Sequence, residues 1–266
     1  MFKRLLFISC FFFSVNSVFS QEKFTRADTL LGSITPERAW WDVTYYDLKV
    51  AVNPSEKTIQ GSNTITYKVL DEKNVMQIDL QSPMKIDKIV QDGNEISFTS
   101  KGNAHFLKLQ QKQQKGKEEK ITIYFSGKPI EAKRPPWDGG FTWKKDSNGK
   151  HFIATSNQGI GSSVWWPLKD HPSEEPENGA TISVTTPKDL MDVSNGKLKK
   201  MTENENTKTW IWEVKSPINA YGININIGDY IHFGEKYKGE KGTLDMDYYV
   251  LRENEAKAKD QFKQAP

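Results

Sequence analysis

His105, His151, His171 and His232 are the side chains best able to hold a metal or shuttle a proton near neutral pH, and no two of them lie within one helical turn of sequence. A catalytic zinc site commonly takes two histidines at i,i+4 on a helix plus a third ligand, and that spacing is missing here. Each isolated histidine therefore reads first as a surface or hydrogen-bonded residue, with His171, between Asp170 and Pro172, the best placed for more. No Gly-x-Ser-x-Gly elbow, phosphate loop or dinucleotide fingerprint occurs, and Gly159-Ile160-Gly161 alone is too common a pattern to count. The 34 acidic residues leave a glycosidase pair open, because sequence cannot place two carboxylates across a cleft.

The stretch Ala154 to Pro172 mixes residue types that ordinary core segments keep apart: a polar pentad, two glycines, Trp165-Trp166, then a Pro-bounded turn carrying charge. Glycine serves close backbone bends and proline stiff extended chain, so the segment looks shaped to present something. Its plainer reading is a strand leaving a sheet, with Trp165 and Trp166 on opposite faces.

The elements around it read as strands. In Trp41 to Val52 apolar residues fall on 41, 43 and 45 and then on 48, 50 and 52, a slip that places a β-bulge near Tyr46. Ile59, Ile65, Tyr67 and Val69 alternate in a second long strand, and Asp92-Gly93-Asn94 turns a hairpin. The Lys/Gln/Glu run from Gln110 to Lys120 reads as a solvated hairpin tip, and Arg134 to Trp143, with two prolines and two glycines, as a loop. Further strands follow to Val250, and no helix is expected before about Arg252. The expected class is all-β, an antiparallel assembly with a short helical start at its C-terminal end.

A formal net charge of +3, with lysines and acids interspersed, offers no basic stripe for nucleic acid. Lys3 and Arg4, the apolar run Leu5 to Val15 and the small residue Ser20 read as a signal peptide over residues 1–20, so the protein is expected to be exported, periplasmic or secreted. That run is short for a membrane span, and no later stretch approaches the required length. Cys10, the one cysteine, falls inside the signal, which leaves the mature chain without disulfide or thiolate.

Gln158-Gly159-Ile160-Gly161-Ser162-Ser163-Val164-Trp165-Trp166-Pro167-Leu168-Lys169-Asp170-His171-Pro172, with Glu175-Pro176 and Thr181 to Leu190 after it, resembles the N-terminal domain of M1-family zinc aminopeptidases. Tyr45-Tyr46-Asp47-Leu48, Gly61, Trp137-Asp138-Gly139-Gly140-Phe141, Asp192-Val193-Ser194-Asn195-Gly196 and Pro217-Ile218-Asn219-Ala220-Tyr221 occur in the family's order, so the resemblance runs from about Ala39 to Tyr249. It implies a saddle-shaped β domain over residues 39–250, preceded by a polar leader at 21–38 and followed at 251–266 by the truncated start of a catalytic domain. The family's Gly-x-Met-Glu-Asn segment and His-Glu-x-x-His helix are not in this sequence. The resemblance therefore implies no metal or cofactor in this chain, with zinc and the peptide substrate belonging to the full-length enzyme, and the missing catalytic domain as partner. It also implies that Gln158 helps bind the substrate's free amino terminus, with Ser156 a weaker companion on the same strand face.

Two other readings compete on the residues alone. An exported β-sandwich module for carbohydrate or protein would present exposed, roughly coplanar rings from Trp137, Trp143 and the Trp165/Trp166 pair. A complete enzyme of another type would cluster Asp170, His171 and Glu175 in a loop.

Overall fold

A computed structural model describes residues 23–265, so the signal-peptide expectation and Cys10 lie outside the described residues. The chain opens with a short helix, α1 (Arg26–Gly32), whose N-cap Thr25 and residue Asp28 form a reciprocal capping box. A single helical turn, α2 (Pro36–Ala39), starts on proline and ends at Trp40. Helix thus begins well before Arg252, correcting the expectation that none would appear before that point. The leader is a strap fixed to the domain through the fully buried Arg38.

Strands β1 (Trp41–Asn53), β2 (Thr58–Val69), β3 (Val75–Asp79), β4 (Lys85–Gln91), β5 (Asn94–Glu95), β6 (Phe98–Lys101), β7 (Ala104–Lys108) and β8 (Glu118–Gly127) make the first half. Then come β9 (Gly140–Lys145), β10 (His151–Ser156), β11 (Ala180–Pro187), β12 (Met191–Ser194), β13 (Lys197–Glu203), β14 (Thr207–Val214), β15 (Ile225–Gly228), β16 (Tyr230–Gly239) and β17 (Gly242–Leu251). A final helix, α3 (Glu255–Gln261), follows them.

They form an eight-stranded sheet in the order β13-β14-β11-β1-β2-β8-β4-β5, a four-stranded sheet β12-β15-β10-β9, a three-stranded sheet β3-β7-β6 and a ribbon β16-β17. The class is all-β, as expected. The β-bulge falls between Val43 and Tyr45, close to where the alternation slips, and its extra residue Thr44 donates to the Thr66 carbonyl. Gly61 sits opposite Val50, where a Cβ would stand 1.9 Å from the Lys49 carbonyl oxygen, so the backbones of β1 and β2 meet there without a side chain.

Further sequence readings change: the expected loop at 134–143 is already strand β9 from Gly140. β1 and β11 pair in parallel, Tyr46 beside Ala180, which no hairpin-linked arrangement contains. Residues 110–117 are a crossover rather than a hairpin tip, because β7 belongs to the small sheet and β8 to the large one. Gln113 there is buried, accepting from the Tyr67 hydroxyl and from Gln91 Nε2. The core lies between the sheets, where Trp40, Trp41, Tyr46, Tyr67, Phe125, Phe141, Trp165, Trp166 and Trp212 join aliphatic residues from every sheet but the ribbon. No helix among the described residues is long and apolar enough to cross a membrane.

Candidate functional site

β10 ends at Ser156, and the chain then leaves the four-stranded sheet through a turn at 158–160. Asn157 anchors that turn. Its Nδ2 donates to the carbonyls of Tyr221 and Ile223, its Oδ1 accepts from Trp165 Nε1, and its own carbonyl accepts from Gly161 N. Gly161 has φ +88°, and a Cβ there would stand 2.2 Å from Asp170 Oδ2, so only glycine lets the loop close over that carboxylate. Ser162 to Val164 form a 3-10 turn, which carries both Trp165 and Trp166 inward. The expected opposite-face arrangement fails because this segment is no longer a strand.

Beneath the loop lie two buried ion pairs. Arg38 pairs with Asp79 through Nη2, and its Nη1 donates to the carbonyls of Leu31 and Ser33. Asp79 also accepts from Gln77 Nε2 and from the backbone N of Asp170. Burial raises the Asp79 carboxyl to about 6 even though Arg38 pulls it down, because desolvation outweighs the attraction. Lys169 meets Glu174 at 2.8 Å, donates to the Trp41 carbonyl and lies 4.9 Å from a Trp41 ring centre. Burial likewise raises the Glu174 carboxyl, with Lys169 opposing. The strap, the loop and β3 are thus tied together by charge.

On this base Gln158 is exposed, and among the described residues no donor or acceptor holds its amide. It does not serve to satisfy neighbouring backbone. Ser156 is the last residue of β10, and its hydroxyl donates to the Pro136 carbonyl at 2.7 Å. Gln158 lies beyond the strand in the turn, so the two do not share a strand face. Trp137, 84% exposed, and Tyr221, 47% exposed, stand near the turn. Sequence reading passed over Asn157; a polar residue just past a strand and ahead of two glycines is the signal that marks it.

The rival enzyme cluster does not assemble: Asp170 accepts from Ser163 N, His171 Nδ1 faces Ser173, and Glu175 is exposed. The ring platform fails as well, since Trp165 and Trp166 are fully buried. The four histidines stand apart, and no group of three or more His, Cys, Asp or Glu among the described residues could hold a metal. Among the described residues, therefore, no donor set fits zinc. A concavity of about 600 Å³ on the outer face of the eight-stranded sheet has Ser62, Tyr124, Ser183, Thr185 and Thr209 among its walls, and Thr185 and Thr209 satisfy each other there.

This architecture, four β-sheets with a glycine-bent loop clamped over buried ion pairs, is that of an all-β domain. The profile of the Peptidase M1 N-terminal domain matches residues 43–221, and the chain belongs to that family. Among solved structures it is similar to an M1 zinc metallopeptidase from Deinococcus radiodurans bound to a Tyr-Ser-Ala substrate, with TM-score 0.70 and 19% identity over 81% of this chain and 49% of that one. A two-domain M1 zinc metallopeptidase bound to L-arginine gives TM-score 0.69 and 19% identity, over 81% and 48%. Leukotriene A4 hydrolase from Saccharomyces cerevisiae gives TM-score 0.60 and 20% identity, over 81% and 32%. The chain spans about half the length or less of these structures. No curated protein sequence matches it.

Proposed function

We propose that this chain is the substrate-facing N-terminal domain of an exported, zinc-dependent aminopeptidase that removes N-terminal residues from peptides. Its own contribution is Gln158, which binds the substrate's free amino terminus, with Ser156 a lesser companion. The observation that supports this is an exposed amide without an internal partner, carried on a turn that Asn157 holds by four hydrogen bonds. An amide oxygen accepts from an ammonium group without itself carrying charge. The Ser156 hydroxyl donates to Pro136 and keeps lone pairs to accept with. Zinc chemistry belongs to the remainder of the enzyme, and no donor set among the described residues takes part in it.

A hydrogen bond to a charged partner contributes about 1.5–3 kcal/mol. In the full-length protein, Gln158→Ala is expected to lower kcat/KM on peptides with a free amino terminus by about ten- to a hundredfold if that energy is expressed in the transition state. Unchanged kinetics with unchanged stability would remove Gln158 from the site. The chain by itself is expected to hold no stoichiometric zinc and to leave aminoacyl chromogenic substrates intact. Metal analysis showing one tightly bound zinc per chain, or turnover that survives chelator and copurifies with the monomer, would contradict this.

A further inference from the structure

A cleft of about 260 Å³ opens between the strap and the site loop, with Leu31, Ile160, Asp170, His171, Asn219 and Tyr221 among its walls. Asp170 is only 8% exposed, yet its one hydrogen bond among the described residues is from Ser163 N to Oδ2, which leaves Oδ1 without a donor. No cation makes an ion pair with it among the described residues, and the nearby cations Arg38 and Lys169 are each paired with another carboxylate, Asp79 and Glu174. Asn219 Nδ2 donates to the Pro172 carbonyl, while Asn219 Oδ1 is buried with no partner.

One acceptor without a donor, charged and on a nearly buried residue, lines a cleft whose other walls include Leu31, Ile160 and Tyr221. Groups of this kind are costly to desolvate unless a donor arrives to satisfy them. His171 does not supply it: its Nδ1 is engaged with Ser173, and burial followed by the charges of Arg38 and Lys169 holds its pKa down, so near neutral pH it carries no positive charge to repel a cation.

We infer that this cleft is a binding site for a compact organic cation, a primary ammonium or guanidinium group on a short alkyl stem. The charged head donates to Asp170 Oδ1, and the stem lies against Leu31, Ile160 and the Tyr221 ring. Asn157 and Gly159, which flank Gln158, are among the cleft's walls, but the group that carries the site is the Asp170 carboxylate, so the inference does not rest on the peptide-end reading.

The test is titration of the isotopically labelled chain with n-butylammonium and with ethylguanidinium, followed by amide NMR, with tetramethylammonium and sodium chloride as controls. Saturable shifts at Gly161, Asn219 and Tyr221 are expected with either donor cation, with dissociation constants on the order of millimolar for so small a ligand. Tetramethylammonium has no N–H to give and should not reproduce them. Asp170→Asn should weaken binding at least tenfold, and Leu31→Ala, which leaves the carboxylate and its bond to Ser163 in place, should weaken it severalfold in a folded protein. Gln158→Ala should leave it unchanged. Shifts that do not saturate, that appear equally with tetramethylammonium or sodium chloride, or that vanish in Gln158→Ala while surviving in Asp170→Asn, overturn the assignment.

Discussion

Replacing Arg38 by Met is expected to destabilise the protein by about 3–5 kcal/mol at pH 8, the range found when one partner of a buried ion pair is removed. Met keeps most of the volume and deletes the charge, so the effect is electrostatic rather than a cavity. Asp79 would then stand in the core with only Gln77 and the Asp170 backbone to hold it, and the carbonyls of Leu31 and Ser33 would lose their shared donor. The pH dependence identifies the cause. With the folded carboxyl at about 6 against 3.8 for the free group, the folded state holds the proton more tightly than the unfolded one. Its contribution is favourable below about pH 4 and is lost as pH rises through 6. Without Arg38 the carboxyl climbs further, so the gap between variant and parent should widen above pH 6 and narrow toward pH 4. Denaturant unfolding at several pH values reads this directly, and faster tryptic cleavage at Arg26 would report the loosened strap. Adding Asp79→Leu to Arg38→Met should recover much of the loss, because a well-packed apolar pair often replaces a buried ion pair without cost. A pH-independent loss, or one below about 1 kcal/mol, would show that the pair does not anchor the strap.

The second large effect is expected at Asp192, a completely buried carboxyl with no cation beside it among the described residues. Oδ2 accepts from Ser194 Oγ and Trp212 Nε1, each at 2.9 Å, and Oδ1 has no partner. Burial pushes the group up to about 8 against those hydrogen bonds. The sign follows as for Asp79: stability is greatest below about pH 4, falls as pH rises, and the loss is complete above pH 8. An asparagine in its place would imitate the protonated acid at every pH. Asp192→Asn should therefore match the parent near pH 4 and exceed it at pH 8.5 by an amount on the order of a few kcal/mol. Thermal melts at pH 4, 6 and 8.5 decide it, since a difference that does not grow with pH would mean that Asp192 is not titrating in the folded protein.

The strands were legible because one face of each is buried, and the two-residue period of Leu48, Val50 and Val52 or of Ile182 and Val184 records that directly. Strand partners were not legible. Nothing local in Tyr46 or Ala180 says that they lie side by side in parallel, since the pairing is decided by which sheet faces must cover the same core. The strap was missed although Thr25 and Asp28 carry its cap, because seven residues give too little periodicity for a helix to show. In the loop from Ala154 to Pro172, the glycines and tryptophans serve ends other than those first read into them. Gly161 is needed to pass Asp170, and the tryptophans are ballast beneath the turn rather than a platform upon it. The motif Asp192 to Gly196 proved to be packing chemistry, with Asn195 bridging the Gly222 carbonyl and the Asn224 amide.

The parallel pairing of β1 and β11 also governs how the molecule comes into being. β1 meets β2 across one short turn, a contact that forms early and locally. Its other edge stays open until Ala180 to Pro187 arrive, after the two smaller blocks of structure around β3 and β10 have been strung between them. Such long-range closure must be reached before it is rewarded, so the rate at which this sheet completes is set by chain search rather than by strand propensity. Until then the longest strand of the protein, alternating and apolar on one face, presents a bare edge to any neighbouring chain, and the interval before β11 docks is when a second molecule can take its place.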